Sequence, residues 1–134
     1  MRIVLDSNVI IAAFATRGLC SEIFELCLYE HEIITSANML QEIEKGLSRK
    51  VRLPPHLVSQ IKEFLISNSG IVIPSAVPPD SCRDPDDLEV LGVAISANAN
   101  AIVTGDDDLL VIERFCSIPV YSPRAFWQIM HKNR

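Results

Sequence analysis

Short apolar runs and longer stretches with helical spacing alternate along this chain. The short runs, rich in β-branched residues, predict strands over residues 2–5, 33–35, 71–73, 101–104 and 118–121. The spacing between them predicts helices over about residues 9–15, 21–30, 36–50, 54–69, 86–98 and 124–131. This alternation predicts an α/β fold with a mainly parallel sheet of about five strands.

Local signals place the ends of these helices and their inward faces. Ser7 or Asn8 is expected to cap the first helix and Ser36 the third, because their side chains can accept hydrogen bonds from free backbone N–H groups. Gly70 is expected to stop the fourth helix, and residues 74–87 have the composition of a loop. The predicted inward face of the second helix consists of Ile23, Phe24, Cys27 and Leu28, and that of the third consists of Leu40, Ile43 and Leu47. The predicted inward face of the fourth helix consists of Leu57, Val58, Ile61, Phe64 and Leu65.

Composition indicates one globular domain over residues 1–134. Apolar residues make up 49% of the chain and charged residues 22%, which excludes a disordered protein. No apolar run approaches the roughly 20 residues that span a bilayer, and the opening MRIVLD has no signal-peptide layout, so we expect a soluble, cytoplasmic protein. The four cysteines are widely spaced and form no CxxC pair, which favours reduced core thiols over a zinc site.

The acidic residues are unevenly distributed. The net charge is −5, and seven of the eight aspartates lie between Asp80 and Asp108, with Asp6 as the eighth. Carboxylates gathered without histidine or cysteine partners favour hard cations, and magnesium or manganese bound by such acids can promote phosphodiester hydrolysis. One basic cluster stands in this acidic chain, and it consists of Lys45, Arg49, Lys50 and Arg52. It is a candidate site for the phosphates of a nucleic-acid backbone, and the alternative is a solvated helix end.

Two acids are expected to meet at the edge of the sheet. Asp6 follows the first strand directly, and Asp106 lies two residues past the fourth. Ligands bind beyond the carboxyl ends of parallel strands, so both acids reach one crevice if these strands are neighbours. Asp87 lies in the first turn of a predicted helix, where capping is an alternative role. Glu42 lies off the apolar stripe of its helix, so periodicity alone makes it a surface residue.

Four segments together resemble the motifs of the PIN-domain family. LDSNVIIAAF at 5–14 resembles the opening motif, and LQEIEKGL at 40–47 resembles the helix with the second acid, which selects Glu42 over Glu44. DPDDLEVLGVA at 84–94 and AIVTGDDDLL at 101–110 resemble the third and fourth motifs, which select Asp87 and Asp106. The four motifs occur in order over nearly the whole chain, and the subgroup that they resemble is the VapC group of toxins.

The resemblance implies a PIN-like three-layer α/β/α sandwich and a Mg²⁺- or Mn²⁺-dependent endoribonuclease that cleaves single-stranded RNA, leaving a 5′-phosphate and a 3′-hydroxyl. Asp6, Glu42, Asp87 and Asp106 would bind the metal and form the catalytic site. Asp84 and Asp108 would support them, and Ser7 or Asn8 would orient Asp6 or a phosphate, unless they only cap the helix. The resemblance further implies a cognate antitoxin protein and a homodimer, for which the apolar helices at 21–30 and 54–66 offer surfaces.

Other functions remain alternatives at this point. A PIN-like module could bind RNA or a partner protein without cutting, although the four motif acids favour catalysis. A haloacid-dehalogenase-type phosphatase would have a second aspartate where Asn8 stands. A receiver domain would have an aspartate after the third strand and a lysine after the fifth, and a Ser–His hydrolase would have a nucleophile elbow. The three histidines match no motif position and are expected at the surface.

Overall fold

Strands and helices alternate, as the hydrophobic pattern predicts, in the computed structural model of the chain, which describes residues 1–132. The helices are α1 (Ser7–Ala15), α2 (Leu19–Glu30), α3 (Ala37–Arg49), α4 (Pro55–Asn68), α5 (Leu88–Ser96), α6 (Asp107–Leu110) and α7 (Pro123–Lys132). The strands are β1 (Arg2–Leu5), β2 (Glu32–Thr35), β3 (Ser69–Ile71), β4 (Ala101–Val103), β5 (Arg114–Phe115) and β6 (Ile118–Tyr121). Short 3₁₀ turns cover Pro79–Ser81 and Pro85–Asp87.

The strands of residues 1–132 form one sheet in the order β3-β2-β1-β4-β6-β5. All neighbours are parallel except β5 and β6, which form an antiparallel hairpin. β1 lies between β2 and β4, and Leu5 pairs with Val103. The expected mainly parallel sheet is therefore confirmed, and the two strands that precede Asp6 and Asp106 are neighbours.

Helices cover both faces of the sheet. Ile3 and Leu5 of β1 face the larger core, to which α1, α2, α3, α4 and α7 contribute. Val4, between them, faces the other core, which α5 and α6 cover. Burial on both faces explains why the strands are apolar runs rather than alternating patterns. The predicted three-layer α/β/α sandwich is confirmed.

The prediction of five strands missed β5. A turn at Cys116 and Ser117 joins β5 to β6, and both residues have positive φ, 48° and 70°. Such two-residue hairpin turns usually carry glycine or asparagine, so this Cys-Ser pair gives little sequence signal.

The cysteines were expected to be reduced thiols in the core. This prediction holds for Cys27 and Cys82, which are buried. It is wrong for Cys116, which is exposed, and Cys20 is half-buried. All four cysteines are free, and burial raises the pKa of Cys27 to about 12.

Several predicted boundaries were wrong. The third strand was expected over 71–73, but β3 ends at Ile71, and Ile73 is 86% exposed. Gly70 pairs with Ile34 inside the sheet, where a side chain at 70 would meet that isoleucine, so this glycine belongs to the strand rather than to the helix end.

The fourth and fifth predicted helices also need correction. Phe64 was placed inward but is 41% exposed. The helix expected over 86–98 begins with the 3₁₀ turn Pro85–Asp87, because the Asp84 carboxylate accepts a 3.0 Å hydrogen bond from the Asp86 N–H. It ends at Ser96, followed by Asn98 with φ 48°. No helix within residues 1–132 is long and apolar enough to cross a bilayer.

Candidate active site

Asp6 and Asp106 meet at the carboxyl ends of the two central strands, and Thr104 connects them. The Thr104 hydroxyl donates a 2.6 Å hydrogen bond to Asp6 Oδ2 and accepts one of 3.0 Å from the Asp106 N–H. The backbone continues the pairing, because the Asp6 N–H donates to the Val103 carbonyl at 2.9 Å. Asp6 and Thr104 are both buried. This threonine is a site residue that the sequence analysis assigned only to a strand end.

Asp6 itself caps α1. Its carboxylate accepts a 2.7 Å hydrogen bond from the Ser7 N–H, and its backbone is extended. The expectation that Ser7 or Asn8 is the cap was therefore wrong, because the helix, predicted over residues 9–15, begins at Ser7. The buried Ser7 hydroxyl lies 3.5 Å from the Met39 carbonyl of α3, whereas Asn8 is exposed.

Asp87 and Asp106 stand at the starts of two helices on the second layer. Asp106 caps α6 by accepting a 2.9 Å hydrogen bond from the Asp108 N–H. Asp87 is buried at the junction between the 3₁₀ turn and α5. One carboxylate oxygen from each of Asp84, Asp87 and Asp108 lies within 4.8 Å of the others, a spacing that one metal ion could bridge.

The thiol of Cys82 borders this acidic cluster. Its Sγ lies 3.9 Å from Asp87 Oδ2 and 3.5 Å from the Asp108 carbonyl oxygen. Burial raises the pKa of the thiol, and the neighbouring carboxylates add to this effect. Cys82 therefore remains a protonated donor beside the acids, a contact that its isolated position in the predicted loop did not indicate.

Glu42 and Glu44 of α3 point in different directions. Glu44 Oε2 forms a 3.0 Å ion pair with Lys62 of α4. Glu42 instead lines a groove of about 380 Å³ together with the aspartates. Gly46, one turn later, lies against Ile11 of α1, where a Cβ atom would collide with the isoleucine side chain. The absence of a side chain at this position lets α3 approach α1 and form the wall of the groove.

The groove brings together most residues that the sequence singled out. Its lining consists of Asp6, Ser7, Asn8, Ile11, Glu42, Lys45, Gly46, Arg49, Lys50, Asp87 and Asp106. Asp84, Asp108 and Arg52 do not line it. No histidine of the part of the chain that the structure describes lines it either, as expected. The other three members of the basic cluster, Lys45, Arg49 and Lys50, all line the groove, and none of them forms an ion pair within residues 1–132.

The carboxylates destabilise one another's charged forms. Burial raises the pKa of Asp87 to about 7, and Asp106, Asp6 and Asp84 add to the shift. Burial also raises the pKa of Asp6, opposed by the hydrogen bonds from Thr104 and Ser7 and reinforced by Asp106. The pKa of Glu42 is raised, mainly by burial. A hydrogen bond with the Ser7 side chain opposes this shift, and the charges of Asp6, Glu89 and Asp86 add to it. Adjacent like charges of this kind are relieved by a bound cation.

Comparison with known proteins agrees with this fold. A family model described as PIN domain matches residues 2–108. A search of curated proteins finds no match. Among solved structures, the chain is similar to one in the crystal structure of VapBC2 from Rickettsia felis bound to a DNA fragment from their promoter, with a TM-score of 0.59 and 19% identity. The similarity covers 91% of this chain and 98% of that chain, and it shows a shared fold. Since the family model spans most of the chain, including all four motif acids, the chain belongs to the PIN-domain family.

Proposed function

We propose that this chain is a divalent-metal-dependent endoribonuclease that hydrolyses single-stranded RNA and acts as the toxin of a toxin–antitoxin pair. The observation that carries the proposal is the convergence of four carboxylates, Asp6, Glu42, Asp87 and Asp106, in one groove that Lys45, Arg49 and Lys50 also line. Membership of the PIN-domain family and the likeness to a VapBC2 chain support the same function.

The donor set fits a hard divalent cation. It offers carboxylate oxygens, which Mg²⁺ and Mn²⁺ prefer. Burial raises the pKa of Asp87 to about 7, and the neighbouring Asp106, Asp6 and Asp84 raise it further, a repulsion that a bound cation would relieve. Asp6, Asp87, Asp106 and Glu42 would hold the ion, with Asp84 and Asp108 in support. When bound, the ion supplies positive charge to the phosphate and water of phosphodiester hydrolysis.

The protein's own residues prepare this site. Thr104 and the Ser7 N–H fix the two oxygens of Asp6, so this carboxylate is positioned before any ligand arrives. Asp106 is held by its own cap hydrogen bond to Asp108. Lys45, Arg49 and Lys50 border the acids and can neutralise RNA phosphates, which a chain with a net charge of −5 would otherwise repel. Asn8 can orient a phosphate from the opposite wall.

Cleavage of single-stranded RNA in manganese tests the proposal directly. Wild-type protein should cleave, Asp6→Asn should lose activity, and chelator should abolish cleavage by the wild type. Asp80→Asn is a matched control, because Asp80 is an exposed aspartate outside the groove. Equal activity in wild type and Asp6→Asn, or activity that persists in chelator, would contradict the proposal. Calorimetry distinguishes the non-cutting alternative, which should bind manganese poorly.

The toxin role and the assembly need separate tests. Expression of the wild-type chain should arrest bacterial growth, and Asp6→Asn should not. A small neighbouring reading frame should encode an antitoxin that restores growth, and arrest unaffected by it would contradict the pairing. We further propose a homodimer, for which the exposed Phe64 and Ile66 of α4 offer apolar contact area. Sedimentation should give twice the monomer mass, and a monomer at micromolar concentration would contradict the dimer.

A further inference from the structure

A second cavity adjoins the groove near the N-terminal half of α3. It has a volume of about 400 Å³ and shares Glu42 and Lys45 with the groove, whereas Arg49 and Lys50 line the groove but not this cavity. We call it the side pocket, and its remaining lining consists of Asn38, Gln41, Pro85, Asp86, Leu88 and Glu89. Since the two cavities share walls, a ligand held at the four acids can extend into the side pocket.

One face of α3 runs along both cavities and changes its chemistry on the way. Asn38, Gln41, Glu42, Lys45 and Arg49 are spaced by three, one, three and four residues, which places them on one side of the helix. The stripe is about 16 Å long at about 1.5 Å per residue. It begins with two amides, continues with the acid, and ends with cations. Its two ends therefore suit different parts of one extended ligand.

The charge of the side pocket disfavours a phosphate. Glu42, Asp86 and Glu89 contribute carboxylates, and Lys45 is the single cation among its lining residues. Glu89 is fixed there, because its Oε2 accepts a 2.6 Å hydrogen bond from the Ser36 hydroxyl. The pocket therefore suits a part of a ligand that carries no negative charge and donates hydrogen bonds to carboxylates.

The polar groups of the side pocket keep room for a ligand's hydrogen bonds. Each oxygen of Glu89 already accepts one hydrogen bond, from Ser36 or from Asn38 Nδ2 at 3.4 Å, and has a second lone pair for a further donor. The side-chain amides of Asn38 and Gln41 are exposed. The Gln41 side chain makes no hydrogen bond to any residue between 1 and 132, so its donor and acceptor are both open. Pro85 and Leu88 add apolar area that can contact the flat face of a ring. Side-chain amides and carboxylates are the groups that read base edges, and proteins read single-stranded RNA through bases turned out of the stack.

We propose that the side pocket binds the nucleobase next to the scissile phosphate and prefers bases with an exocyclic amino group to uracil. The inference rests on the proposed ribonuclease function and adds the specificity-determining residues Gln41 and Glu89. The carboxylate of Glu89 accepts from the amino group, the amide of Gln41 bonds to the neighbouring edge atoms, and the cations at the other end of α3 hold the phosphates. Uracil has a carbonyl oxygen where cytosine has the amino group, so its edge keeps the N3–H as its single donor and turns an acceptor toward the carboxylate of Glu89.

Sequencing of the cleavage products of a randomised single-stranded RNA library tests this assignment. The wild type should show a preference on the order of tenfold against uracil at one position beside the cleavage site. Gln41→Ala and Glu89→Gln should each reduce this preference several-fold while cleavage itself continues. Ser48→Ala is the matched control, because Ser48 is exposed on α3 and lines neither cavity. Circular dichroism of each variant checks that the fold is kept.

The outcomes separate this inference from the function on which it rests. Cleavage by the wild type with the same base profile in Gln41→Ala and Glu89→Gln would overturn the side-pocket assignment and leave the ribonuclease proposal intact. No cleavage by the wild type would overturn the proposed function and the assignment with it. Binding provides a second readout. The Asp6→Asn protein should bind oligonucleotides that contain adenine or cytosine more tightly than oligonucleotides whose bases are all uracil. Adding Gln41→Ala to this variant should remove the difference.

Discussion

The Thr104 hydroxyl binds Asp6 Oδ2 at 2.6 Å across 98 residues of sequence. The hydroxyl oxygen of Thr104 also accepts a hydrogen bond from the Asp106 N–H, so one buried hydroxyl fixes the relative positions of two acids that follow neighbouring strands. A carboxylate that is oriented by its surroundings binds a metal ion with less reorganisation.

Replacing Thr104 by valine should impair the site more than the fold. The change leaves Asp6 Oδ2 and the Asp106 N–H without a partner, which costs about 1–3 kcal/mol for a buried polar group. Metal affinity and cleavage should fall about 10- to 100-fold, as for other residues that orient metal ligands. Thr104→Ser keeps the hydroxyl and should retain most activity. Valine and serine variants with equal manganese affinity by calorimetry would show that the hydroxyl has no such role.

Manganese should stabilise the folded protein through the four acids. At a hundredfold excess over Kd, a ligand that binds only the folded state adds about 2.7 kcal/mol to the free energy of unfolding. Differential scanning calorimetry should show a higher Tm in manganese for the wild type and for Asp80→Asn. Asp87→Asn should lose most of the rise. A rise of equal size in Asp87→Asn would place the ion elsewhere.

The stability of the metal-free protein should fall as the pH rises from about 4 to about 7. The pKa of Asp87 is about 7 in the folded protein against an ordinary value of 3.8, so the folded state keeps a proton that the unfolded chain has released. Burial also raises the pKa of Asp6 and Glu42, which acts in the same direction. Urea denaturation in chelator at pH 5 and pH 7.5 measures the difference. Asp87→Asn should reduce it, and a wild type that is more stable at pH 7.5 would contradict the prediction.

A side chain at position 46 should disturb the contact between α3 and α1. The Cβ of Gly46→Ala would collide with the Ile11 side chain, and overpacking of this kind costs about 1–3 kcal/mol. In an Ile11→Ala background the collision disappears, and alanine should then stabilise the helix by up to about 1 kcal/mol over glycine. A double-mutant cycle in urea measures this reversal. Additive effects of the two substitutions would exclude a direct contact.

The cations of the groove should account for much of the salt dependence of RNA binding. Loss of Lys45, Arg49 and Lys50 together should reduce the slope of log K against log salt by about 2, since each phosphate contact on a single strand contributes about 0.7. Arg52, from the same predicted cluster, lies outside the groove lining, so Arg52→Ala should change the slope less than Arg49→Ala. Fluorescence anisotropy at several salt concentrations makes the comparison. An unchanged slope in the triple variant would show that these charges do not contact RNA phosphates and only stabilise the end of α3.

Sequence reasoning reached the elements that depend on local pattern. The apolar run before Asp6 predicted β1, and the assumption that β1 and β4 are neighbours, on which the joint site of Asp6 and Asp106 depended, agrees with the observed sheet order. Glu42 was selected by the motif alone. The selection of Glu42 over Glu44 agrees with the structure, in which Glu44 forms an ion pair with Lys62 of α4. That ion pair joins two helices, so the periodicity of α3 alone could not predict it.

The features that sequence reasoning missed depend on contacts distant in the chain or on unusual turn residues. The hydrogen bond from Thr104 to Asp6 joins residues of two motifs that were read separately. The Cys-Ser turn before β6 has positive φ without glycine or asparagine. The position of β3 follows from its pairing with β2, because Ile73 is as apolar as Ile71 and composition does not distinguish them.

The central place of β1 has a consequence for how the protein is made. β1 ends at Leu5, but its partner β4 begins at Ala101, and Asp106 follows later still. A nascent chain that has not yet presented residue 104 holds Asp6 without Thr104 and also lacks Asp106, one of the four acids. Pairing over so long a separation also forms slowly, because the intervening segment must be ordered first. A chain built on this plan completes its cluster of four acids only after Asp106 has been synthesised and β1 has paired with β4.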